Sequence, residues 1–147
     1  MRHPARSIPH IGTKSSAPYP GHMRRATLAL IADAALVTLF AAIGFATHNE
    51  DAVTPWAVWM TAWPFLAALA VGWVVTLAWR DPLAPARTGI PLWIITVAGG
   101  MLLRFLTGQG TALPFVIVAT LTLALLLIGW RLASTLVGRA RSRRPAA

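Results

Sequence analysis

Long apolar stretches alternate along this chain with short polar connections, and the lengths of the stretches set the elements. Ala26 to Ala46 carries a single charge, Asp33, and matches the ~20 residues that cross a hydrocarbon core of about 30 Å at helical rise. A second run opens on Thr54-Pro55, an N-cap residue followed by Pro where its missing N–H is harmless, and continues uncharged to Trp79. The third runs from Ile90 to Leu106, with Pro91 in its first turn and Gly99-Gly100 and Arg104 inside it; the fourth runs from Ala112 to Trp130. None shows the two-residue alternation of a membrane barrel strand. The pattern predicts an all-α, polytopic transmembrane protein with spans at 26–46, 55–79, 90–106 and 112–130. Connections this short make consecutive spans antiparallel neighbours, giving a four-helix up-down-up-down bundle.

The flanks read differently. Residues 1–22 hold four Pro and two Gly with no apolar period, which predicts a disordered polar tail. Met23, just before Arg24-Arg25 and the first apolar run, is an alternative translation start. A cleaved signal peptide is disfavoured, because the run exceeds a usual h-region and contains a carboxylate. The transmembrane domain is expected over 23–132, and 133–147 as a basic cytoplasmic tail.

Composition sharpens this picture. Of 147 residues 56% are hydrophobic and 12% charged, against about 25% charged in soluble domains. After four spans too little chain remains for a separate soluble catalytic module. The net charge of +9 and pI near 12.0 raise the question of nucleic acid. However, most of the arginines flank apolar runs, and no aromatic residue interleaves with Arg139, Arg141, Arg143 and Arg144, so no nucleic-acid partner is expected. Arg24-Arg25, Arg80 with Arg87, and the carboxyl-terminal arginines from Arg131 onward mark three regions as basic, while the first and third connections contain no Lys or Arg. By the positive-inside rule both termini and the middle connection are cytoplasmic, in a multi-pass protein of the cytoplasmic (cell) membrane.

Several segments stand in order along the chain: Arg24-Arg25 with Asp33, then Thr61-Ala62-Trp63-Pro64-Phe65, then Thr96-Val97-Ala98-Gly99-Gly100-Met101-Leu102-Leu103-Arg104, then Gly129-Trp130-Arg131. In these the chain, over about Met23 to Arg131, resembles domain-of-unknown-function family 3054, small four-span membrane proteins of actinobacteria. The resemblance implies a four-helix inner-membrane protein. It brings no assigned activity and therefore no site residues.

Candidate chemistry rests on polar groups inside the spans, where a mid-bilayer charge costs about 2.5 to 3.5 kcal/mol on insertion scales and faces a partner or water. Asp33 lies roughly 10 Å above the cytoplasmic edge at helical rise, with Trp73, Thr76, Thr96 and Thr122 at similar depth as donors. It reads as a helix-locking hydrogen bond or, more sharply, as a proton or cation site. Arg104 lies roughly 21 Å from the same edge, too far in depth for a direct pair with Asp33. It is expected to extend outward to Glu50, Asp51 or loop carbonyls. Trp56, Trp59 and Trp63 share a face and read as an interface belt. Ala68, Gly72 and Gly99-Gly100 read as a close helix contact. There is no cysteine, no His pair at ligand spacing, no phosphate loop, no dinucleotide fingerprint and no nucleophile with its base. Neither a metal nor a cofactor is expected, nor enzyme activity. The expectation is a structural or accessory membrane protein, its partners the lipid bilayer and a larger membrane complex or a homo-oligomer. The alternative is a small transporter or channel component using Asp33.

Overall fold

A computed structural model describes residues 20–48 and 53–142. They form four helices: α1 (Pro20–His48), α2 (Pro55–Val75), α3 (Ile90–Leu106) and α4 (Leu113–Ser142), with no strand among the described residues. Each is long and apolar enough to cross a membrane when the turn Pro85–Gly89 is counted with α3. Each helix packs on the next in sequence, and α1 also packs on α4, so the bundle closes as a ring.

The fold is apolar on the outside as well as within. Leu28, Ile31, Val71, Val74, Leu102, Leu121 and Leu125 are all more than half exposed. A water-soluble monomer rarely carries apolar patches beyond a few hundred Å², whereas lipid is the natural neighbour for this surface. The threonines obey the same solvent. Thr38, Thr61, Thr76, Thr107 and Thr120 each donate the side-chain hydroxyl to the carbonyl four residues earlier, so they present no unmet donor to hydrocarbon. This is a multi-pass membrane protein.

Inside the ring, every helix buries a row spaced by four: Ala29, Asp33, Val37 and Ala41 on α1; Phe65, Leu69 and Trp73 on α2; Leu92, Thr96 and Gly100 on α3; Ala119, Leu123, Leu127 and Arg131 on α4. Residues four apart share a helix face and form the ridges that interdigitate between helices. The tightest seam joins α2 and α3. A Cβ on Gly72 would come within 2.8 Å of Leu92 Cδ1, one on Gly99 within 2.9 Å of the Cβ of Ala68, and one on Gly100 would strike the Phe65 ring. The small residues singled out from sequence thus meet in one helix contact. Towards the α3–α4 connection, Phe40, Phe65 and Phe115 bring three helices together, the first two edge to face at 5.5 Å between centroids.

Three boundaries differ from the sequence reading. The amino-terminal tail does not extend to His22, since α1 begins at Pro20 and the His22 Nε2 donates to the Arg80 carbonyl at 3.0 Å. That bond ties the amino-terminal part of α1 to the second connection. The second span stops at Val75 rather than Trp79. Thr76 caps it, Leu77 turns into the left-handed region at φ 51°, and Ala78–Arg80 forms a 3-10 turn. The fourth helix passes Trp130 and continues to Ser142, since the segment after Arg131 holds no Pro before Pro145 and is rich in good helix formers.

Candidate functional site

The four-residue rows of α1 and α4 each contain one charge, and the packing of the two helices brings these charges together. Asp33 and Arg131 are both fully buried and meet in a two-pronged pair: Arg131 Nη1 donates to Asp33 Oδ1 at 2.8 Å, and Nη2 to Oδ2 at 2.7 Å. Such fork-to-fork geometry is the strong form of an Arg–carboxylate interaction. Each carboxylate oxygen takes a second donor, Trp130 Nε1 on Oδ1 at 2.9 Å and Trp73 Nε1 on Oδ2 at 3.0 Å. The acid therefore accepts four hydrogen bonds, about the capacity of a carboxylate.

The guanidinium is held as thoroughly. Its Nε donates to the Pro82 carbonyl at 3.0 Å and Nη1 also to the Leu127 carbonyl at 2.7 Å, while its carbon sits 4.7 Å over the Trp130 ring. Pro82 cannot donate, but the reversal of chain around it aims its carbonyl inward. The Thr88 hydroxyl fixes that reversal by donating to the Asp81 carbonyl at 2.7 Å. Gly89 leaves room for the arginine stem, since a Cβ there would lie 3.1 Å from Arg131 Cδ. One polar cluster thus joins α1, α2, α4 and the second connection. Its chemistry is closed: the charges cancel, both acid oxygens are occupied, and neither residue is open to solvent.

A second polar group lies towards the α3–α4 connection. Arg104 donates from Nη1 to Gln109 Oε1 at 3.0 Å, from Nη2 to the Gln109 carbonyl at 3.1 Å and from Nε to the Gly110 carbonyl at 3.3 Å. Its guanidinium carbon stands 4.4 Å over the Phe115 ring. Gly108 and Gly110, at φ 70° and 80°, give this turn the left-handed geometry that presents those carbonyls.

Of the sequence candidates, Asp33 sits at the centre of the buried cluster, and Trp73 is one of its donors. Thr76 bonds within its own helix to Gly72, and the buried Thr96 hydroxyl has no hydrogen-bond partner among the described residues. Thr122 lines a cleft between α1 and α4. Arg104 meets loop carbonyls, as expected for one of its alternatives. Its other expected partners, Glu50 and Asp51, lie outside the described residues. Trp56 and Trp59 are exposed and Trp63 half-buried on the first turns of α2. Sequence reasoning missed Arg131, which stands directly after the last apolar run and reads as a boundary marker. Its spacing of four from Leu127, Leu123 and Ala119 was the signal that placed it on the buried row.

The fold and this cluster define a class: a four-helix, multi-pass membrane protein braced by an intramembrane ion pair. Within that class, the chain belongs to the family described as protein of unknown function (DUF3054), whose model matches residues 30–134 and so encloses the whole cluster. In comparisons with the curated proteins and with the solved structures, none matches the chain.

Proposed function

We propose that this protein is a non-enzymatic structural or accessory component of the cytoplasmic membrane, with both termini and the α2–α3 connection facing the cytoplasm. A single observation carries the reading. The one acid on the buried rows is saturated by two indoles and a two-pronged arginine, leaving no oxygen for a proton or cation to reach. A carboxylate that carries a proton or an ion needs access to water and a vacant acceptor, and Asp33 has neither. What it supplies is a fixed geometry of three helices, the property a subunit needs to present a constant surface to a partner complex or to a second copy. The orientation is supported by the basic residues of the termini and the second connection, against a first and third connection free of Lys and Arg.

The test pairs transport with assembly. In proteoliposomes carrying an internal pH dye, the wild-type protein and Asp33→Asn are expected to give the same proton and monovalent-cation leak as empty vesicles. Cross-linking in native membranes, followed by purification, is expected to retain a defined protein partner or a second copy. Wild-type flux that disappears in a folded Asp33→Asn protein would move Asp33 to the centre of a transport pathway and overturn the structural reading.

A further inference from the structure

The packing that closes tightly around Asp33 opens towards the α3–α4 connection. There residues of α1 and α4 line a cleft of about 730 Å³, within the size range of ligand sites. Its walls include Phe40, Gly44, Phe115, Val118 and Thr122, and Arg104 stands at one end. Val118, half exposed, lies at the rim, so the cleft opens sideways between the two helices to the surroundings of the bundle.

Length, polarity and charge together select an occupant. Along α4 the lining runs from Pro114 to Leu126, about 18 Å at helical rise, close to the ~15 Å depth of one leaflet's hydrocarbon. The walls are almost entirely apolar, and the cation sits at the connection end, where a lipid head group lies. Among the described residues Arg104 spends three of its five N–H groups on Gln109 and Gly110, with one on each terminal nitrogen left over. No carboxylate pairs with it among the described residues. A guanidinium held in place with two donors to spare matches a phosphate, which arginine recognises through paired N–H groups.

We propose that this cleft is a binding site for one anionic phospholipid, with an acyl chain between α1 and α4 and the phosphate on Arg104. The lipid belongs to the leaflet on the side of the α3–α4 connection. It completes the wall that the helices leave open, and the site is independent of the Asp33 cluster.

Native mass spectrometry of the full chain in detergent, titrated with dioleoyl phosphatidylglycerol or dioleoyl phosphatidylcholine, tests this. The wild type is expected to retain one phosphatidylglycerol with about tenfold preference over phosphatidylcholine, equivalent to about 1.4 kcal/mol. Arg104→Gln should bring the two lipids within about twofold of each other, while Arg104→Lys keeps most of the preference. Gly44 lines the cleft and a Cβ there meets open space, so Gly44→Phe takes up cleft volume and should weaken both lipids at least about tenfold. Glycerol phosphate, which lacks chains, should not displace the lipid. Equal retention of the two lipids by the wild type, or unchanged binding in Gly44→Phe, overturns the proposal. Displacement by glycerol phosphate at lipid-like concentrations overturns it too, because it makes the site one for free phosphate. Should Arg104→Gln fail to fold, Gly44→Phe and the two-lipid comparison still decide.

Discussion

Asp33 shows how a membrane interior changes the arithmetic of one residue. A lone carboxylate there is costly, but this one arrives with four donors and an opposite charge, so the cost falls on whichever variant removes a partner. Breaking a buried pair by deleting one side costs about 3 to 5 kcal/mol, because the survivor stays buried without compensation. Asp33→Asn keeps a carbonyl for one indole or for Arg131, whereas Asp33→Leu strands the guanidinium and both Trp N–H groups. Leu is therefore expected to unfold at lower denaturant than Asn, by a further ~1 to 3 kcal/mol in an SDS titration in mixed micelles. The double variant Asp33→Asn with Arg131→Gln should lose less than the sum of its singles, with a coupling of about 0.5 to 3 kcal/mol. Strict additivity would contradict the pairing. Asp33 was legible in the sequence because a charge inside an apolar run is conspicuous, and Trp73 because depth along an antiparallel helix can be counted. Arg131 was not, because arginine at the end of an apolar run usually marks the interface. Only the three-dimensional row, in which it follows Leu127 by one turn, separates a buried arginine from a boundary one.

Among the elements, the α2–α3 seam is the most demanding. Gly100 lies so close to the Phe65 ring that a methyl group has no room without moving an aromatic side chain that also packs on Phe40 and Phe115. Gly100→Ala is expected to destabilise the bundle by about 1 to 3 kcal/mol, in the range of core overpacking, even though Ala is the better helix former. Gly44→Ala meets nothing and should be neutral or stabilising by up to about 1 kcal/mol in the same assay. A melt in which the two behave alike would remove the seam from the packing argument. The apolar runs fixed where helices lie, and the small residues showed which faces meet. The ends of the helices were less legible. The stop at Val75 depends on a left-handed Leu77, a conformation that leucine's own preferences do not announce, and the extension of α4 to Ser142 depends on the absence of a breaker rather than on any positive signal.

For the whole molecule, the ring of four helices is consistent with the alternation read from loop lengths, and its proposed orientation can be checked directly. Cytoplasmic reporters fused at Ser142 or within residues 82–87 should be active. Reporters that work only outside the membrane should be active within residues 107–111 and in the first connection. An external carboxyl terminus would reverse the assignment of both faces. The ion pair has a further consequence, which lies in the order of synthesis. Arg131 follows Asp33 by 98 residues. At about 5 to 20 residues per second, the acid of the first helix therefore waits roughly 5 to 20 s in the membrane before its counter-charge has even been made. The helices translated earlier supply only one of its four hydrogen bonds, from Trp73, so the cluster is complete only when the last helix arrives. A chain ended at Gly110 is expected to be degraded faster than the full chain in a pulse-chase experiment, and Asp33→Leu should lengthen the life of that short chain while shortening that of the complete one. An unfinished chain would then differ from a finished one by a buried acid that lacks three of its four donors.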